Sequence, residues 1–174
     1  MPSNAYSCWA GESPPQGSEW KPATSCQLLP ELMSLARRYP SQEVSGALGI
    51  NWVSWSPGGR DSALADSTRI VTWHSHPPGL PFFSVEDWLT FSTSKACASV
   101  LLWGSNAAVY ARTGKSPATV FEPAQLRAYP ALSLQAFSRQ IGMTGDIRPS
   151  GERAARRDAR AANRLGVKRH VLTG

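Results

Sequence analysis

The order of periodicities along the chain predicts an α+β domain, with a central mixed β-sheet flanked by helices. Three observations carry this. A helical pattern precedes the first strand patterns, and a second helix signal stands between later ones, so helices and strands share one layered body. The β-type runs are short, apolar and closed by Gly, Pro, Ser or Asn. The chain of 174 residues, 41% of them hydrophobic, suits one domain with a full core rather than a disordered chain.

Each element has its own signal. Residues 1–24 are rich in Ser, Pro and Gly, with Trp9 and Trp20 interspersed, and read as an irregular arm. Gln27 to Tyr39 (QLLPELMSLARRY) places apolar residues at helical spacing, and Pro40 ends it. Gly46 to Trp55 (GALGINWVSW) reads as one strand closed by Ser56-Pro57-Gly58-Gly59. Thr68 to His76 is a second strand, broken by Pro77-Pro78-Gly79. Ser84, followed by Glu86 and Asp87, opens a helix as its N-cap. Ala98 to Trp103 and Ala107 to Arg112 are two strands joined by Gly104-Ser105-Asn106, and Thr119 to Phe121 is a short further candidate. Residues 124–145 show no clear pattern, and Glu152 to Leu165 is an Ala/Arg helix. The expected organisation is therefore an arm at 1–24, a domain at 25–145 and a basic helical tail at 146–174.

Charge is uneven. Residues 151–174 hold seven of the eighteen cationic side chains and two of the twelve acidic ones, hence +5 of the net +6. Arg153, Arg156, Arg157, Arg160 and Arg164 share a broad helical face, so the stretch 153–169 is a candidate contact for an acidic partner or nucleic acid. No apolar run reaches the ~20 residues that span a bilayer, and the N-terminus lacks the basic start and apolar segment of a secretory signal. A cytoplasmic location without membrane contact is expected. Cys8, Cys26 and Cys97 are odd in number, scattered and without C-x-x-C, which predicts free thiols.

The chemistry concentrates in His74-Ser75-His76 and Asp87. On a strand, residues i and i+2 face the same way, so the two imidazoles converge on one side. The Pro77-Pro78-Gly79 break lets the following helix turn its first residues, Ser84 and Asp87, toward that strand end. Two nitrogens and one carboxylate leave a fourth tetrahedral position open, the pattern of catalytic rather than structural zinc. A water on such an ion has a pKa near ~7 and still needs a proton acceptor. Glu43, between the first helix and first strand and close to Gly46, is the candidate. H-x-H, seven residues, Ser, two residues and Asp arises by chance in about 1 in 1,000 chains of this length, so the set is read as a site, not as separate surface residues. Trp73, Phe82 and Phe83, which flank the histidines and Ser84, are candidate substrate contacts. The C-x-x-C and H-x-E of zinc deaminases are missing, which excludes that chemistry.

Glu43 followed by His74, His76, Ser84 and Asp87 resembles the motif of the JAMM/MPN zinc metallopeptidases, with every motif position filled. The stretches Arg38 to Gly46 and Val71 to Pro77 are similar to the family's surroundings of the glutamate and of the histidines, and the resemblance runs from about residue 27 to about 112. It implies an MPN-type domain with one zinc ion per chain, held by His74, His76 and Asp87. It implies that Glu43 holds and deprotonates the attacking water, then passes the proton to the leaving amine. It gives Ser84 the oxyanion or the placing of the water. The implied activity is hydrolysis of a peptide or isopeptide bond after the C-terminal glycine of a ubiquitin-like protein, in deconjugation or precursor processing. The short Ser56–Ser67 stretch is similar to compact prokaryotic-style members, and Pro77-x-Gly79-x-Pro81 to the RadC branch. An alternative function is therefore a RadC-like, nucleic-acid-associated protein whose basic tail contacts DNA. A further one is a non-enzymatic binding module built on Trp9, Trp20, Phe82 and Phe83.

Overall fold

The structure is a computed structural model that describes residues 13–15, 19–24, 26–58, 71–94, 96–113, 137–139, 143 and 151–172. The strand expected at 119–121 and residues 1–12 of the expected arm lie outside them. The described elements are, in chain order, β1 (Glu19–Pro22), α1 (Leu28–Arg38), β2 (Val44–Ala47), β3 (Trp52–Pro57), β4 (Val71–His76), α2 (Val85–Thr93), β5 (Ala98–Trp103), β6 (Asn106–Arg112), α3 (Gly151–Arg164) and β7 (Val167–Leu172). The strands form one seven-stranded sheet in the order β1-β3-β2-β4-β5-β6-β7. The β4–β5 pair is parallel and the other pairs are antiparallel, so the fold is α+β with a mixed sheet.

Two apolar clusters cover the two faces of the sheet. On one face, Leu28, Leu32 and Leu35 of α1 meet Val44, Val53, Trp73, Val100 and Leu102. Their spacing of four and three residues puts the three leucines on one side of α1. Pro30 is tolerated in the first turn, where backbone N–H groups have no helical partner. On the other face, Trp88 and Phe91 of α2 and Ala161 and Ala162 of α3 meet Phe83, Leu101, Ala108 and Tyr110. Between α2 and α3 lies a buried polar group. Asp158, 2% exposed, accepts from Trp88 Nε1 at 3.1 Å and from the Tyr110 hydroxyl at 2.9 Å. Among the described residues no helix is long and apolar enough to cross a membrane.

Four expectations are corrected. The run from Gly46 to Trp55 is a hairpin, not one strand. Leu48 bridges Val53, and the Gly49 amide donates to the Trp52 carbonyl at 3.0 Å, which turns the chain at Ile50 and Asn51. Both arms are buried, so the run is almost continuously apolar and hides its turn. The arm contributes strand β1, whose Pro22 sits at its end on a sheet edge, where a missing donor is tolerated. The basic tail is helix and strand, and β7 pairs β6 along its whole length. Cys97 is disulfide-bonded, whereas Cys26 is a free, exposed thiol. Cys8 lies outside the described residues.

Gly46 fixes the centre of the sheet. It pairs with Trp73, whose indole Nε1 crosses above it to donate to the Ser54 carbonyl at 2.8 Å. A Cβ at Gly46 would overlap that carbonyl and crowd Trp73 Nε1 at 2.7 Å. Gly46→Ala is therefore expected to destabilise the fold by about 2 kcal/mol or more, read as a lower urea midpoint. An unchanged midpoint would refute the close approach.

Burial raises the Asp158 carboxyl from 3.8 to about 6, against the opposing pull of the Tyr110 hydroxyl, the Arg169 charge and the Trp88 indole. The folded chain thus holds this proton more tightly than the unfolded one. Wild-type stability should fall, relative to Asp158→Asn, as pH rises from 3.8 to about 6, by up to about 3 kcal/mol. Urea midpoints of the two proteins across that range test it, and a pH-independent gap between them counts against it.

Candidate metal centre

The site sits at the C-terminal ends of the two parallel strands, where open sheets commonly place ligands. Along β4 burial alternates: Val71, Trp73 and Ser75 are buried, while Thr72, His74 and His76 point to the other face. The expected convergence of the histidines is present, with their Nε2 atoms 3.2 Å apart.

The bend after β4 is a tight turn. Leu80 N donates to Pro77 O at 3.3 Å, and Gly79 takes a φ of +91°. Proline second and a left-handed glycine third is the requirement of a type II turn. The turn returns the Leu80 carbonyl to His76, where it lies 3.0 Å from Nδ1. A carbonyl only accepts, so the proton is on Nδ1 and the lone pair of Nε2 faces the site.

Asp87 arrives from α2. Ser84 is the N-cap, and its hydroxyl accepts from Asp87 N at 3.1 Å while Asp87 Oδ2 accepts from Ser84 N at 2.8 Å, a reciprocal capping box. The same Oδ2 lies 3.0 Å from His76 Nε2 and 3.4 Å from His74 Nε2. The far end of α2 is tied down by Arg112, which donates to the carbonyls of Phe91, Ser94 and Ala96. The helix carrying Asp87 is thus held at both ends.

These separations test the fit of a metal ion. Zinc bound at ~2.0–2.1 Å in a tetrahedron sets its ligands about 3.3 Å apart. The three pairs here measure 3.0, 3.2 and 3.4 Å. Two nitrogens and one carboxylate oxygen face one point, and with both imidazoles neutral and protonated on Nδ1 all three would offer lone pairs to a cation. The electrostatics agree. For Asp87, burial favours the neutral form, but the His74 charge and hydrogen bonds from His74 and His76 outweigh it and hold the carboxyl well below the usual range. For His76, burial lowers the pKa, but Asp87, the Leu80 carbonyl and the Glu43 charge together raise it. Among the described residues this is the group of histidine, cysteine or acidic side chains that could hold a metal.

Glu43 is exposed and lies just before β2. The β2–β4 ladder ends at the Ser45–His74 pair, two residues from Glu43, and the Glu43 charge is near enough to raise the His76 pKa. The link is fastened by Ser75, the residue between the histidines. Its hydroxyl points to the opposite face and accepts from Val44 N at 2.9 Å. Gly58 N donates to the Glu43 carbonyl at 2.9 Å, which holds the other side.

The expected substrate contacts divide. Trp73 is 1% exposed, on the far face of β4 among the α1 cluster, so strand alternation removes it from the site. Phe83 is 3% exposed, stacks on Tyr110 at 3.7 Å and lies 5.4 Å from the His74 ring, so it is a floor beneath the histidine, not a channel wall. Phe82 is half-buried, under the Arg169 guanidinium at 4.6 Å, and remains beside the site. Sequence reasoning passed over the Leu80 carbonyl and Ser75. The Pro-Pro-Gly turn signals the first, and strand alternation at the x of H-x-H signals the second.

No family model and no curated protein matches the chain. The site is therefore read from its own chemistry.

The wild-type chain is expected to bind one zinc ion, and Asp87→Ala to weaken binding at least about 100-fold. Metal content after dialysis and thermal melts report it. Zinc at 100 times its dissociation constant adds about 2.7 kcal/mol of stability to wild type. A melt that zinc leaves unmoved excludes the centre.

Proposed function

We propose that this chain is a zinc-dependent hydrolase of JAMM/MPN type, cutting a peptide or isopeptide bond that follows the C-terminal glycine of a ubiquitin-like protein. The observation that carries the reading is the set of three ligand atoms of His74, His76 and Asp87 at tetrahedral spacing, and the Glu43 charge that acts on His76 supports the role given to Glu43. A bound zinc ion would supply Lewis acidity and lower the pKa of water to about 7. Glu43 then takes the proton of the attacking water on a carboxylate oxygen as the new C–O bond forms. It returns that proton to the amine nitrogen as the C–N bond breaks, so the base is regenerated. The Ser84 oxygen already accepts from Asp87 N, which leaves its hydroxyl proton free to donate to the developing oxyanion. His74, His76 and Asp87 would hold the metal.

Partner recognition falls to surfaces around the site. Arg153, Arg156, Arg160 and Arg164 are exposed on α3, whereas Arg157 is buried and donates to the Met143 carbonyl at 3.1 Å. The exposed arginines suit an acidic protein partner, and they keep the RadC-like reading, with DNA as partner, as the second one. A cytoplasmic place belongs to the same proposal. There the Cys97 disulfide would meet a reducing thiol pool.

Incubation with ubiquitin-like fusions and conjugates tests the proposal. Glu43→Gln should retain one zinc ion and lower kcat/KM by about 100- to 10,000-fold. Equal product from wild type and Glu43→Gln, or cleavage indifferent to chelators, would sink the peptidase reading. DNA binding that falls steeply with salt and is lost when the α3 arginines are neutralised would favour the second.

A further inference from the structure

We infer that Arg169 of β7, acting with Tyr110 and Asp158, is a positioning residue for the metal centre. The inference rests on the zinc site of the proposed function and not on its choice of substrate. Three threads run from this cluster, and each ends next to a residue that orients a metal-binding side chain. Arg169 Nη2 donates to the Pro81 carbonyl at 2.7 Å, and Pro81 follows Leu80, whose own carbonyl orients His76. The Tyr110 hydroxyl accepts from Phe83 N at 3.3 Å, and Phe83 precedes Ser84, the N-cap that holds Asp87. Asp158 Oδ1 accepts from Trp88 Nε1, and Trp88 follows Asp87 on α2.

The cluster is closed on itself. Arg169 Nε donates to the Tyr110 oxygen at 3.1 Å, and that hydroxyl donates to Asp158 Oδ2 at 2.9 Å. The phenol thus uses its one proton and both of its lone pairs, so it has no freedom to rotate. The guanidinium also lies over the rings of Phe82 at 4.6 Å and Trp103 at 5.4 Å. Trp103 is the register partner of His76 on the parallel strand. The planar fork of arginine can bond Pro81 O and Tyr110 together, where a lysine ammonium would bond at a point. The Pro81–Phe83 segment is held from below by a strand distant in sequence, and the Leu80 carbonyl and the Ser84 cap are held with it.

The test uses the full chain. Arg169→Met should weaken zinc binding about 10-fold or more, measured by chelator competition, since outer partners of ligands carry 10- to 100-fold effects. In the cobalt-substituted protein the visible bands of the tetrahedral ion should lose intensity or shift. Arg37→Met, on the exposed side of α1, should change neither. If Arg169→Met fails to fold, Tyr110→Phe keeps the ring stacked on Phe83 and removes only the shared hydroxyl, and it should give the same two effects. A folded Arg169→Met or Tyr110→Phe protein with zinc affinity within about twofold of wild type and an unchanged cobalt spectrum overturns the inference. Failure of wild type to bind zinc overturns both this inference and the proposed function. Zinc binding without cleavage overturns only the peptidase, and the affinity comparison still decides the role of Arg169.

Discussion

Two imidazole nitrogens and a carboxylate oxygen each lie within 3.4 Å of the other two. Polar groups do not gather so closely without a proton or cation between them or a structure that holds them there. Much of the described fold supplies that hold. Sheet pairing fixes the histidine strand on both sides, through β2 and β5. The type II turn brings the Leu80 carbonyl behind His76, and the capping box brings Asp87 in front. The two histidines and Asp87 are thereby held at separations that a bound cation would match.

The hold has polar as well as apolar parts. Burying Asp158 beside a phenol and an indole costs desolvation, which its raised pKa records. That cost is offset because each buried acceptor finds a donor. A purely apolar filling of the same space would bury as much surface, but it would not fix the rotation of Tyr110 or the height of the Pro81 carbonyl. Directional bonds specify where the loop stands, and the stacked rings of Phe83 and Tyr110 supply the contact area beneath it.

The site was more legible than the sheet. His74, His76, Ser84 and Asp87 lie within one strand, one turn and one helix start, so local rules of alternation and capping place them with no knowledge of the fold. Glu43 needed the β2–β4 register, which spacing alone does not give. The hairpin inside Gly46 to Trp55 was hidden because both its strands are largely buried, and Asn51 and Ser54 are too few to mark a turn or a polar face. Strand β7, with the sequence VKRHVL, looked like part of a charged tail because an edge strand at the sheet's rim tolerates charge along its length. Trp73 drew attention by its neighbours in sequence, although alternation sends its side chain to the other face. The role of Arg169 is invisible in any window of sequence, since it depends on contacts far along the chain.

The Arg169–Pro81 hydrogen bond spans 88 residues, whereas His74, His76 and Asp87 fall within one short segment. These two distances set an order of events. Strand, turn and helix cap can gather the acceptors early, since closing so short a loop is fast. The clamp beneath them forms only when β7 joins the sheet, among the most remote pairings in the fold. If the site takes a metal as proposed, its full affinity would require the last strand to be in place, and a chain with its histidine strand but without β7 would hold the ion less firmly.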